Sequence, residues 1–323
     1  MTAEQPKAGV VGVGTMGHHH ARVYNELPDV DLAGVADADE DRAADVAAKY
    51  GTDALSQTAL LDRCDAVSVA VPTRYHYGVV AEAIDRGVNV LVEKPFVSDL
   101  ARGRELVEMA RDRDVALQVG HVERFNPAVR ALADIVPDLD VIAVDVQRLG
   151  PPVDRDSMDG VVLDLMIHDI DIVLSTIGAT VTGVSAMSAR DRDHVTAQLE
   201  LADGVVVDLT ASRVTQEKVR RLAITATECR VNVDYEAQSV QIHRHSVPEY
   251  YESGGDLRYR HESIIERPTI ENGEPLRAEL EAFVEAATTG SRPPVTGEDA
   301  LAALDVARRI DDHATDEPPS IEN

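Results

Sequence analysis

The chain has 323 residues, 44% hydrophobic and only 3% aromatic with no Trp, enough apolar mass for two packed cores. Its 58 acidic residues against 31 basic ones leave a formal charge of -27, which repels nucleic acid and anionic membrane surfaces and argues against both as partners. Distributed along a chain with clear hydrophobic periodicity, that charge reads as the surface of a salt-adapted, halophile-type protein, whose self-repulsion is screened where the Debye length falls to ~3 Å in molar salt.

The first residues carry no basic stretch followed by an apolar core, and no apolar run approaches the ~18 residues of a membrane helix. A cytoplasmic protein is expected. A short apolar run at 8–13, punctuated by Gly, precedes a helix-compatible stretch at 16–26. Strands are predicted at 31–36, 66–71, 89–92 and 116–119, alternating with helices at 39–50, 58–63, 78–86 and 99–113. Such alternation implies a doubly wound parallel sheet with right-handed crossovers. After Gly120 the rhythm changes: a helix at 126–135, a strand at 141–149, a Pro/Asp-rich loop, and an apolar helix at 161–177. Six β-rich segments between 181 and 245 follow without intervening helices, then helices at 276–288 and 299–313.

The expected class is α/β: an N-terminal doubly wound domain over 1–122 and a C-terminal α+β domain over 123–323 with a large open, mostly antiparallel sheet. The terminal helices 276–313 are left free to pack back on the first domain, and the open sheet is a candidate surface for a homodimer or homotetramer. Cys64 and Cys229 lie far apart in different elements and read as small buried hydrophobes.

Gly12, Val13, Gly14, Thr15, Met16 and Gly17 follow the first strand and open the first helix. In that context each glycine serves a distinct purpose. Gly12 permits a tight turn, Gly14 lets the backbone approach a pyrophosphate, and Gly17 allows close helix–sheet packing. The anion would sit at the helix N-terminus. Asp37 ends the second strand, where a carboxylate accepts hydrogen bonds from ribose hydroxyls and repels a 2′-phosphate, favouring NAD. Arg42 keeps NADP open. His18, His19 and His20 are consecutive on a helix, turn by ~100° per residue and cannot all face one ion. They read as packing or turn-edge histidines, and no metal site is expected.

Glu93, Lys94 and Pro95 follow a strand at its carboxyl end, where open α/β sheets bind ligands. The chain holds four lysines, Lys7, Lys49, Lys94 and Lys218, against 27 arginines, so a Lys at that edge stands out. Lys, unlike Arg, joins proton transfer readily; a surface Glu–Lys pair is the plain alternative. Further on, Asp164 and His168 stand at i and i+4 of the apolar helix, with Asp171 on the same side and Asp169 pointing elsewhere. A helix apolar all round is buried, so this acid–imidazole stripe is expected inside the protein, where perturbed groups mark functional sites. A satisfied core His–Asp pair or a metal site remains an alternative.

These stretches, with Val71, Pro72, Thr73, Arg74, Tyr75 and His76, resemble the glucose–fructose oxidoreductase/inositol dehydrogenase (Gfo/Idh/MocA) family over nearly the whole chain. The resemblance implies a Rossmann domain, a tightly held NAD(P) and a catalytic set of Lys94, Asp164 and His168. It also places Val71, Pro72, Thr73, His76 and Glu93 at the cofactor, with Thr73 and His76 near its nicotinamide half. The run from Gly120 to Val129, together with 164–172, is similar to the branch that oxidises the 3-hydroxyl of UDP-N-acetylglucosamine or its uronate. What this implies is hydride transfer from a secondary hydroxyl of a sugar. His168 would act as base, Lys94 would polarise the same oxygen and Asp164 would orient the ring. Lys94 as the base stays open. The two phosphates of a nucleotide sugar need cations, for which Arg124, Arg148 and Arg155 are candidates, with Asn126 as a further substrate contact; the arginines equally suit surface charge balance. Two other functions remain: a dehydrogenase of free inositol or a monosaccharide, and a non-catalytic NAD(H)-sensing regulator.

Overall fold

Short Val-rich strands buried on both faces need helices above and below, and the first part of the chain supplies them. In the computed structural model, residues 5–152, 160–245, 249–253, 256–260 and 262–315 are described. The chain divides into two units, Met1–Phe125 with Glu274–Asp305, and Asn126–Gly273 with Val306–Asn323. The first unit thus reaches slightly beyond residue 122 and takes in a C-terminal stretch. Among the described residues no helix is long and apolar enough to cross a membrane.

The first unit runs β1 (Lys7–Val11), α1 (Thr15–Glu26), β2 (Asp31–Ala36), α2 (Glu40–Tyr50), α3 (Gln57–Leu61) and β3 (Ala66–Val69), then α4 (His76–Asp85), β4 (Asn89–Glu93), α5 (Leu100–Asp112) and β5 (Leu117–Gly120). The five strands are all parallel, in the order β2-β1-β3-β4-β5. The order reverses at β1/β3, so the crevice past the carboxyl ends of those strands is the ligand position of this architecture. Val10, Val67, Val69, Val90, Leu91 and Val92 are fully buried. Helix starts follow local chemistry: Asp39, Ser56 and Asp99 cap α2, α3 and α5 with side-chain oxygens, each satisfying an otherwise orphaned N–H.

The second unit begins with α6 (Pro127–Ile135) and β6 (Val141–Leu149). The expected helix at 161–177 is in fact composite: a π-helical turn, Val162–Met166, leads into α7 (Ile167–Ile177). An apolar run does not distinguish i→i+5 from i→i+4 bonding, so the sequence carries no signal for this turn. There follow β7 (Val181–Ala189), β8 (His194–Leu201), β9 (Val206–Ser212), β10 (Val219–Ala226), β11 (Cys229–Asp234) and β12 (Ser239–His245). Beyond the strands expected, the chain adds the paired β13 (Glu249–Ser253) and β14 (Asp256–Arg260), and β15 (Ser263–Glu266) on the edge of the large sheet. That eight-stranded sheet has the order β15-β12-β11-β10-β6-β9-β8-β7, antiparallel except for the parallel pair β6/β9. Helices α8 (Pro275–Thr289) and α9 (Gly297–Thr315) close the described chain. Leu276, Leu280 and Phe283 of α8 join the core that β1 and α1 form in the first unit, with Val10, Val23 and Tyr24.

Candidate active site

In the first unit the glycine turn is shaped by its neighbours. Gly12 has φ +86°, and a Cβ there would stand 2.7 Å from the Ala70 carbonyl oxygen. A Cβ on Gly17 would stand 1.8 Å from the Gly12 oxygen, while one on Gly14 meets nothing within 4 Å. The turn is therefore closed toward the protein and open at Gly14. No side chain caps α1 at Gly14, leaving its first N–H groups aimed outward past the exposed Thr15 and Met16. This is the cradle a dinucleotide pyrophosphate requires. Asp37 stands beside it: its Oδ2 accepts from Val13 N at 2.7 Å and its Oδ1 from Asp39 N at 2.9 Å. Arg42 lies 3.4 Å from both of those oxygens and 3.0 Å from Asp39. The expected ribose acid and the arginine that keeps NADP open thus form one cluster.

Lys94 is half-buried at the end of β4, and its peptide bond to Pro95 is cis. The residues on either side of it are held from two directions. Glu93, expected as a cofactor contact, meets His20: its Oε1 accepts from the His20 Nε2 at 2.9 Å, and both residues are buried. Burial pushes the Glu93 carboxyl up, but the His20 hydrogen bond and the His20, Lys94 and His76 charges outweigh it and hold it below the ordinary carboxylate value. His76, likewise expected at the cofactor, is 1% exposed. Its Nδ1 faces the Pro95 and Phe96 carbonyls at 3.0 and 3.2 Å and its Nε2 the Val71 carbonyl at 2.8 Å. That ring lies between the 71–73 loop and the Lys94 loop.

In the second unit the buried stripe is not the one expected. Asp164 and His168 are half-buried, with the Asp164 side chain 35% exposed, whereas Asp169 and Asp171 are buried. Asp169, expected to point elsewhere, forms a bidentate pair with Arg148: Nε–Oδ2 2.7 Å and Nη2–Oδ1 2.8 Å. Arg148 also stacks over Tyr235, 5.6 Å from the ring centre. It is therefore buried and paired within the second unit. Asn126, expected as a substrate contact, is likewise held within the second unit. It caps α6 through Ala128 N and donates to the Tyr235 carbonyl at 3.0 Å, at 4% exposure. Arg124, in the first unit, lies 3.7 Å from Asp299, and Arg155 is outside the described residues.

Two partners escape the sequence. Arg213, just after β9, places Nη2 3.4 Å from Asp164 Oδ2; nothing local links those positions. His20 reads from sequence as packing, although its place one turn beyond Gly17 on the face of α1 turned to the sheet is an available signal. Among the described residues no group of His, Cys, Asp and Glu gathers as a metal site requires.

Comparison with known proteins adds the following. A family model described as an oxidoreductase family with an NAD-binding Rossmann fold matches residues 7–121, and the Gfo/Idh/MocA C-terminal domain model matches 144–232. The UDP-N-acetylglucosamine 3-dehydrogenase of Acidithiobacillus ferrooxidans is 34% identical over 288 residues, 87% of this chain and 88% of its own. A solved structure of that enzyme matches with TM-score 0.85 at 32% identity, covering 96% of this chain and 97% of the other. The NAD(+)-dependent scyllo-inositol 2-dehydrogenase of Bacillus subtilis is 27% identical over 342 residues, 94% and 92% of the two chains.

Proposed function

The chain belongs to the Gfo/Idh/MocA oxidoreductase family, and from that premise we propose that it oxidises a secondary hydroxyl of a nucleotide sugar, the 3-hydroxyl of UDP-N-acetylglucosamine or its uronate, with NAD. The observation that carries this reading is the 34% identity to a UDP-N-acetylglucosamine 3-dehydrogenase across 87% of the chain.

Bound NAD supplies the hydride acceptor for the carbinol carbon. The open glycine turn and the uncapped start of α1 hold the pyrophosphate, and Asp37 accepts from the ribose hydroxyls and disfavours a 2′-phosphate. His168 takes the hydroxyl proton as the carbinol becomes a carbonyl. Lys94 donates a hydrogen bond to the same oxygen and steadies its developing negative charge. Asp164, four residues before His168 and in reach of Arg213, supports the imidazole once it is protonated. Placing the proton on Lys94 instead conserves the same atoms.

The likeness to an inositol dehydrogenase favours a second reading, oxidation of a free cyclitol. A salt-supplemented assay of NADH formation with UDP-N-acetylglucosamine, inositol and glucose separates the two. Turnover of the nucleotide sugar, inhibited competitively by UDP, is expected. Turnover of inositol with no effect of UDP supports the second reading, and no NADH from any of the three overturns both.

A further inference from the structure

Lys94 is flanked by two anchored neighbours. On its amino side, Glu93 is fastened to α1 by His20; on its carboxyl side, the Pro95 and Phe96 carbonyls are fastened to α4 by His76. All three fastening side chains are buried, His20 at 0%, His76 at 1% and Glu93 at 9%. The walls leave no slack: a Cβ on Gly120 of β5 would come within 3.3 Å of the Glu93 Oε2 and Cα, and Phe96 and Val97 are 1% and 2% exposed. The His20 Nδ1 is buried and finds no partner among the described residues.

We propose that His20 and His76 form a two-sided clamp that presets the direction of the Lys94 side chain, making both histidines positioning residues for the reaction. The clamp also ties the lysine to the helix that opens at the glycine turn, through His20. The groups that bear on Glu93 are His20 from α1, Lys94 from its own loop and His76 from α4. A lysine on an exposed strand end samples many rotamers; one whose backbone is pinned on both sides starts from a fixed Cα–Cβ direction, which narrows where its ammonium can go, and misplacement by ~1 Å costs about 100-fold in rate.

This inference rests on Lys94 acting on substrate, and the test separates the two. With four lysines in the chain, protein labelled at lysine Cε gives a spectrum in which Lys94 is identified by its loss in Lys94→Met. The spectrum is recorded for the wild type, His20→Leu, His20→Asn (polar, too short for Glu93), His20→Gln (which keeps a donor at the Nε2 position) and His76→Leu. NADH affinity is measured by fluorescence and kcat with UDP-N-acetylglucosamine. A single sharp Lys94 line is expected in the wild type and in His20→Gln, broadened or split in the other variants. Turnover is expected to fall about 10- to 100-fold with NADH affinity held and to be restored in His20→Gln. An unchanged Lys94 line and kcat in His20→Asn overturn the clamp, as does a loss confined to NADH affinity, which would assign His20 to the nucleotide turn alone. Full turnover in Lys94→Met overturns the catalytic reading, while the Lys94 line still decides the clamp.

Discussion

At the scale of single residues, Arg148 and Asp169 set the terms for the second unit. Both are nearly inaccessible, at 4% and 2% exposure, and they share two short hydrogen bonds. Deleting one member leaves the other charge buried and uncompensated, a loss of about 3–5 kcal/mol. Arg148→Met is therefore expected to lower the unfolding free energy by that amount in a urea titration at fixed high salt. A variant as stable as the wild type would return Arg148 to the pool of available cations. In sequence Arg148 stands out because it lies near a proposed site, but its parity along β6, in step with the buried Val144 and Val146, already turns it inward. Asn126 is similar, since an Asn directly before Pro127 is a helix cap by its chemistry.

At the scale of elements, the proposed chemistry of the first unit rests on the glycine turn and the Lys94 loop. Gly17→Ala puts a methyl 1.8 Å from the Gly12 oxygen, so the turn must open. NADH fluorescence titration should show binding lost or weakened at least tenfold, about 1.4 kcal/mol, and wild-type affinity would contradict the packing described. The His76 contact with the Lys94 loop is expected to respond to pH. Burial, the largest influence on His76, holds its pKa below the ordinary 6.5, against three carbonyl contacts and the Glu93 charge, which pull it upward. The unfolded chain then takes up that proton at higher pH than the folded one. The contribution of His76 is complete above about pH 6.5 and is lost as the pH falls toward the folded value. His76→Gln should flatten the decline in stability below pH 6.5, and an undiminished slope would contradict this. Alternation of strand and helix, the glycine turn and the ligand edge of the sheet are all legible in the sequence, because local periodicity and turn chemistry encode them. The π-helical turn ahead of α7 is not, and with it goes the expectation that Asp164 and His168 are deeply buried.

At the scale of the whole molecule, which helix joins which core depends on partners remote in sequence. That is why α8, with Leu280 and Phe283 in the core of the first unit, has no fixed place in a linear reading. Long-range pairs such as Asp164–Arg213 are hidden for the same reason. Net charge, by contrast, is fully written in the sequence. At -27, self-repulsion opposes folding until salt screens it, so the thermal midpoint should rise steadily from dilute buffer to molar KCl; a flat or falling midpoint would remove the case for salt adaptation. The central functional claim is that this family member oxidises a nucleotide sugar through His168 and Lys94. Its most direct test is NADH formation from UDP-N-acetylglucosamine at high salt by the wild type, His168→Asn and Lys94→Met. Steady turnover by the wild type and a loss of about 100-fold or more in each variant is the expected result, and wild-type rates in both variants would contradict it.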